Sequence, residues 1–215
     1  MSRRWSSWWA GVLALISIAL CFAPLFDVLG FEFAFACGVP VTWMAGMAGV
    51  RARRRGLDPW RAWLFAGRQA SALALIPLWP IALNGLRVRN CDWSGGLLVY
   101  ALLPGAGAWV ASAWGAAVGG MRRPRLAFAV LWFASLAGSV WVFWTQPPVD
   151  VFGAFLGYWP GALYDEIFEI EDRLWWARLE ALTAAALAVS VAAAWAQRGG
   201  RATRIAVLCG AAAVG

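Results

Sequence analysis

Six long apolar stretches, separated by short polar segments, dominate the pattern of the chain. A helix needs about 20 residues to cross the roughly 30 Å hydrocarbon core of a bilayer. Each stretch has about that length, so the pattern predicts an all-α integral membrane protein, a bundle of six transmembrane helices. The predicted spans are residues 9–26, 33–50, 69–86, 97–118, 126–145 and 174–196.

A seventh apolar run, residues 205–215, is shorter than the others. As a helix it would rise only about 16 Å, half the thickness of the hydrocarbon core. We therefore expect an incomplete seventh span and a chain that continues past Gly215. Residues 1–215 are predicted to form a single transmembrane helical domain, with one longer outer segment at residues 146–173.

The composition agrees with lipid as the solvent for most of the surface. Apolar residues make up 62% of the chain and charged residues 13%, with a mean hydropathy of +0.66. A soluble domain carries about 25% charged residues, so an ordinary soluble enzyme and a disordered chain are both excluded. The chain has no His, which excludes a Ser-His-Asp triad and an HExxH zinc site. We predict no cofactor and no metal.

All 18 basic residues are arginines, and they alternate from one side to the other. With the N-terminus in the cytoplasm, 14 arginines lie inside and four outside, and ten of the 11 acids lie outside. Cytoplasmic loops of membrane proteins carry an excess of basic residues. The basic charge therefore predicts orientation and a lipid bilayer as partner, and it does not indicate nucleic acid.

Two local signals refine the spans. Asp58 followed by Pro59 predicts a helix start, because Asp caps free N–H groups and Pro suits the first turn. Pro77 and Pro80 predict a kink in the outer half of the third span, because each lacks a backbone donor.

The fourth span carries small residues every four positions. At this spacing two helix backbones approach closely, which drives association inside lipid. We favour packing within the chain over packing between subunits. The helix-packing residues are Gly107, Ala111, Gly115 and Gly119.

The outer segment, residues 146–173, is rich in Gly and aromatic residues and too apolar for a free loop. We expect it either to lie on the outer membrane face or to dip back into the bundle. From about Leu163 the pattern becomes that of a short amphipathic helix, with Asp165, Glu169 and Asp172 on one face.

Three interpretations of this acidic face remain open: a solvated surface, which we favour, a cation site, and a catalytic carboxylate pair. Arg87 and Arg89 of the preceding outer loop are expected to offset its charge, and Glu180, below it in the sixth span, is expected to line a shallow cavity. The candidate ligand or partner contacts are Asp165, Glu166, Glu169, Asp172, Glu180, Tyr158, Trp159, Tyr164, Arg87 and Arg89.

The run from Phe152 to Glu166, with Asn90-Cys91-Asp92 upstream, resembles a group of uncharacterised bacterial multi-pass inner-membrane proteins. In these a membrane region precedes a peptidase-like or repeat-containing extracytoplasmic domain. The resemblance implies the bacterial cytoplasmic membrane, and as partners a C-terminal extracytoplasmic domain or other membrane subunits. It brings no functional residues with it.

The predicted function is a membrane-embedded anchor, sensor or scaffold module of an envelope protein, more in keeping with a non-enzyme than with an enzyme. One alternative is a small transporter or permease-like subunit that uses the kinked third span, Asn84 and Glu180. A second alternative is a membrane enzyme that uses the outer carboxylates. The nearly uncharged span interiors and the lack of a clear internal repeat speak against the transporter.

Overall fold

The computed structural model describes residues 3–145, 150–160 and 172–197, and this part of the chain is mostly helical. Its elements are α1 (Arg3–Leu20), α2 (Phe31–Arg54), α3 (Pro59–Ala74), α4 (Leu78–Asn84), α5 (Trp93–Tyr100), α6 (Ala106–Val118), α7 (Pro124–Thr145), β1 (Asp150–Gly153), β2 (Gly157–Pro160) and α8 (Asp172–Gln197). A π-helical turn, Ala101–Gly105, joins α5 to α6 in one continuous rod.

Four of these helices are long and apolar enough to cross a membrane: α2, the α5–α6 rod, α7 and α8. They coincide with the predicted spans 33–50, 97–118, 126–145 and 174–196, and they indicate a membrane protein. The predicted spans 9–26 and 69–86 coincide with shorter helices. The seventh run, residues 205–215, lies outside the described residues.

The prediction of a first span up to residue 26 is wrong at its end, because α1 stops at Leu20. The chain then turns through residues 21–30, where Leu25 has a positive φ of 74°. Pro24 accounts for the stop, since proline disfavours helical backbone at the residue before it and has no N–H to donate.

The kink predicted at Pro77 is present as a break between α3 and α4. Because Pro77 has no N–H to offer the carbonyl of Leu73, α3 ends at Ala74, and the N–H of Ile76 donates to Leu73 instead, at 3.1 Å. The carbonyl of Ala74 accepts a hydrogen bond of 2.7 Å from the Tyr100 hydroxyl. Pro80 breaks nothing further, since it lies in the first turn of α4, where proline is tolerated.

The helix start predicted at Asp58 is also confirmed. The Asp58 side chain accepts a hydrogen bond of 3.0 Å from the backbone N–H of Arg61, and Pro59 is the first residue of α3. The cap satisfies one of the N–H groups that a helix leaves unpaired at its start.

The core is organised around the crossing of α2 and α6. A Cβ atom added to Gly115 would collide with the backbone oxygen of Gly46, and one added to Gly49 would collide with that of Ser112. The two backbones therefore touch, a contact that only glycine permits. Gly119 lies against the side chain of Arg53, so the glycine ladder of α6 packs within the chain against α2.

Tryptophan side chains join neighbouring helices by hydrogen bonds. Trp63 Nε1 of α3 donates to the carbonyl of Trp109 in α6 at 3.0 Å, and Trp109 Nε1 donates to Ser71 Oγ of α3 at 3.1 Å. Trp132 Nε1 of α7 donates to Thr42 Oγ1 of α2 at 3.2 Å. Such bonds hold helices together where water is excluded.

The loops gather at two ends of the bundle. At one end Asn84 Nδ2 donates to the carbonyl of Asp27 at 2.6 Å, and the ring of Tyr158 in β2 packs edge-on against Phe31 at the start of α2. At the other end Arg53 packs against Gly119. The segments predicted to be outside thus share one end, and the arginine-rich turns after α2 and α6 share the other.

We predict that Gly115→Leu lowers the stability of the protein in detergent by about 1–3 kcal/mol, the usual cost of forcing extra atoms into a packed core. Thermal unfolding of the purified full chain measures this. Gly138→Leu is the matched control, because a Cβ at exposed Gly138 of α7 meets nothing within 4 Å. Equal unfolding temperatures for the two variants would contradict the close contact.

Candidate functional site

The outer segment contains a β-hairpin, an element that the sequence analysis did not predict. Strands β1 and β2 pair antiparallel, with Val151 opposite Trp159 and Gly153 opposite Gly157. Gly157 has a positive φ of 94° and follows a three-residue loop. Three-residue hairpin loops commonly end in such a left-handed residue, which favours glycine.

The tip of the hairpin lies inside the helix bundle. Phe155, at the centre of the loop, is 5% exposed, and its ring centroid is 6.0 Å from that of Phe128 in α7. A Cβ atom added to Gly107 would collide with the backbone oxygen of Phe155, so glycine at this position leaves room for the tip. Of the two placements expected for the outer segment, the described part adopts the one that dips back into the bundle.

Arg178 of α8 holds the hairpin tip. Its guanidinium donates from Nη2 to the carbonyl of Gly153 at 2.9 Å and from Nη1 to the carbonyl of Ala154 at 3.2 Å. The residue is 3% exposed, and no carboxylate among the described residues pairs with it. A buried charge is costly unless it is hydrogen-bonded, so the hairpin carbonyls and the arginine each compensate the burial of the other.

The contact between Arg178 and the hairpin requires glycine at position 157. A Cβ atom on Gly157 would collide with the Arg178 guanidinium. Two features of this turn each favour glycine at position 157: the positive φ, and the close approach of the guanidinium.

A small, shallow cleft lies beside the hairpin, between α2 and α7. Ser139 Oγ donates to the carbonyl of Ser135 at 3.1 Å, so this hydroxyl is used within its own helix. The cleft therefore offers mainly apolar and aromatic contact. Its walls are Phe35, Trp132, Ser135, Leu136, Ser139, Gly153, Phe155, Leu156, Gly157 and Tyr158.

The predicted contact residues fall into different places. Tyr158 lines the cleft, and its ring packs edge-on against Phe31 at 5.5 Å between centroids. Trp159 belongs to β2, and exposed Asp172 begins α8. The remaining members of the acidic face, Tyr164, Asp165, Glu166 and Glu169, lie outside the described residues.

Glu180, expected to line a cavity, is exposed and is not among the residues of the cleft. The buried charge of α8 is Arg178, which is one of the four arginines predicted to lie outside. The helical spacing contains the signal that identifies it. Arg178 shares one face with a stripe of buried residues, and Glu180 lies off that face: the stripe is Leu174, Ala181, Ala185, Val189 and Ala192.

The two outer arginines, expected to offset the acidic face, are both exposed. Arg87 serves the loop after α1. It donates to the carbonyl of Cys21 and, from Nε, to Asn84 Oδ1 at 3.0 Å, and its guanidinium lies 5.0 Å from the ring centroid of Phe22. Arg87 thus ties the 21–30 turn to the end of α4.

Asp92, in the same outer loop, has a local role. It accepts hydrogen bonds from the N–H of Gly95 at 2.9 Å and from Ser94 Oγ at 2.8 Å, which lowers the pKa of its carboxyl. It thereby caps α5. Within residues 3–145, 150–160 and 172–197, no three His, Cys, Asp or Glu side chains lie close enough to hold a metal ion.

Comparison with known proteins adds no family: the chain matches no protein-family model, no curated protein and no solved structure. The site is therefore interpreted from its own geometry.

We predict that Arg178→Met releases the hairpin tip. The two carbonyls lose charge-assisted hydrogen bonds, each contributing about 1.5–3 kcal/mol. A cysteine placed at buried Leu156, in a chain with Cys91→Ser and Cys209→Ser, should then react faster with a thiol reagent.

Two further variants extend this test, one expected to act like Arg178→Met and one as a control. Gly157→Ala should act in the same direction, because it displaces the guanidinium. Glu180→Gln, at an exposed position of the same helix, is the control and should leave the labelling rate unchanged. Unchanged labelling in the Arg178 variant would show that the hairpin is held by its apolar contacts alone.

Proposed function

We propose that this protein is a scaffold module of the bacterial cytoplasmic membrane, whose helices fix the outer segment at the extracytoplasmic surface for contact with a partner. The partner is another membrane subunit or an extracytoplasmic domain. The acidic helix predicted at residues 163–173 is the contact surface, since it follows directly from the anchored hairpin.

The observation that carries this proposal is the use of Arg178. A charge inside a membrane bundle usually serves transport, catalysis or structure. Here both Nη atoms donate to hairpin carbonyls, and Gly157, which has no Cβ, leaves room for the guanidinium. The buried charge is committed to holding one segment in place, which is what a scaffold requires.

Neither of the two side chains on which a transporter would depend lines the cleft. Asn84 donates to the carbonyl of Asp27 and accepts from Arg87, so it joins two outer loops. Glu180 is exposed on α8 and does not enter the cleft. These contacts favour the scaffold over the permease-like alternative.

The proposal includes six crossings and an N-terminus in the cytoplasm, with residues 205–215 as a partial seventh span. In this proposal the shorter α1 counts as a crossing, and so does the broken α3–α4 pair, which leads from the turn after α2 to the loop that Arg87 ties to the 21–30 turn. The end with the arginine-rich turns is the cytoplasmic one by the excess of basic residues.

Cys91 tests the orientation. It is exposed, whereas Cys21 and Cys37 are buried, so in a Cys209→Ser chain a membrane-impermeant maleimide reports mainly on Cys91. We expect labelling in spheroplasts, where the outer face of the cytoplasmic membrane is accessible, and none in a Cys91→Ser control. Labelling that appears only after the membrane is permeabilised would reverse the proposed orientation.

Photo-crosslinking tests the contact surface. A benzophenone amino acid at Tyr164 should give a discrete protein adduct in intact cells, and Asp165→Asn with Glu166→Gln and Glu169→Gln should weaken it at unchanged protein abundance. The same probe at Trp141, 69% exposed on α7, is the control for contact with lipid. If the Tyr164 probe gives the Trp141 pattern, the acidic segment touches no partner and the scaffold proposal fails.

A further inference from the structure

Helix α8 carries a charged residue on a face that does not pack against the bundle. Glu180 is exposed, and the residues at helical spacing above and below it are exposed as well, so they form one stripe along the helix. In this chain 22% of the most apolar stretch of α8 is buried, against 67% of that of α2. The stripe, called the α8 face below, consists of Trp176, Glu180, Thr183, Leu187 and Val191.

Glu180 lies inside the membrane-spanning part of α8. It is eight residues from Asp172, the first residue of the helix, and therefore about 12 Å along the axis. The 26 residues of α8 have a length of about 39 Å, so a helix centred in a hydrocarbon core of about 30 Å places Glu180 about 7 Å below the boundary of the core. Trp175 and Trp176 are one turn above it, and tryptophan is typical of that boundary.

The charge of Glu180 has no partner among the residues that the structure describes. Arg178 is buried on another face of α8 and donates to the hairpin carbonyls. Arg173 is two turns nearer the start of the helix, about 10 Å along the axis. The hydroxyl of Thr183 donates to the carbonyl of Leu179 at 2.8 Å, so it is used within its own helix.

The remaining residues of the chain provide no cation for this position. Residues 146–149 and 161–171 contain no basic residue, and the apolar run 205–215 contains no charged residue. The arginines between 198 and 204 come after the far end of α8. A second copy packed symmetrically by the same face would place its Glu180 opposite this one, and like charges repel. The complement of Glu180 therefore comes from a different molecule.

We propose that the α8 face binds a membrane helix of another subunit, and that this helix places an arginine or lysine against Glu180. Charged side chains inside a membrane almost always pair with one another or with backbone carbonyls, and the amine of a lipid headgroup lies above the hydrocarbon core that contains Glu180. Leu187 and Val191 continue the face below Glu180 with apolar contact, as a helix that runs along α8 requires. This inference does not rest on the scaffold proposal, since the α8 face and the outer segment are separate surfaces.

The reaction of Glu180 with dicyclohexylcarbodiimide, a lipid-soluble reagent that modifies carboxyl groups, measures whether the face is covered. Mass spectrometry quantifies the modified peptide of the full-length protein in membranes of the cells that produce it, and again after purification into phosphatidylcholine liposomes. We expect Glu180 to react at least fivefold more slowly in the cell membranes, because the partner helix covers it there.

Ala137→Glu is the matched control for this reaction. It places a carboxyl on the exposed face of α7, also eight residues from a helix end, and should react at the same rate in both membranes. Equal rates for Glu180 in the two membranes would mean that lipid covers the α8 face and would overturn the proposal. Slow reaction in both would mean that this chain or a second copy covers it, with the same consequence.

Photo-crosslinking tests the charge pair. A benzophenone amino acid at Leu187 should give a discrete adduct in intact cells, with an added mass that differs from the mass of this chain. The adduct should fall more than fivefold in Glu180→Gln and persist in Glu180→Asp, which keeps the carboxylate, and in Thr183→Val, which changes the same face without changing its charge. An adduct of twice the chain mass, or one that Glu180→Gln leaves unchanged, would overturn the proposal. The probe at Tyr164 reports on the outer segment separately, so failure of the scaffold proposal is recognised by itself.

Discussion

Satisfying backbone polar groups away from water is the constraint on which this structure depends. A carbonyl in an apolar interior is costly unless it accepts a hydrogen bond. The hairpin brings the carbonyls of Gly153 and Ala154 into the bundle, and Arg178 supplies donors to both. The break in α3 poses the same problem at Ala74, where the Tyr100 hydroxyl is the donor. In both places an irregular backbone is tolerated because a side chain from another helix donates a hydrogen bond to the exposed carbonyl.

Close contact between helix backbones is a second feature of the architecture. The small residues that allow this contact also leave space for the hairpin. Gly49 and Gly115 let α2 and α6 touch, and Gly107, on the same ladder, leaves the space that the Phe155 backbone occupies. Packing two helices and receiving the hairpin are therefore tasks of a single small-residue face. The aromatic rings of Phe128 and Phe155 then fill the remaining volume. Inside lipid, where apolar surface gives little drive for helices to associate, such fit supplies much of the stability.

The sequence predicts the long helices well, because an apolar run of about 20 residues has few alternatives to a membrane helix. The cap at Asp58 and the break at Pro77 follow from single residues with strong local preferences. The hairpin and the burial of Arg178 do not follow from such local signals. Strands β1 and β2 are four residues each, too short for a periodicity signal, and they form against α7 and α8. Arg178 becomes identifiable only when the buried face of α8 is traced from its alanines, which shows that Glu180 lies elsewhere.

Arginine side chains tie parts of the chain together at both ends of the bundle. At the hairpin end the arginines bind parts of their own chain, Arg178 the loop of the hairpin and Arg87 the turn after α1. At the other end Arg53 packs against Gly119 and donates to the carbonyl of Leu57, and Asp58 pairs with Arg61. Arginines bonded to carbonyls of their own chain stiffen the end that carries the outer segment.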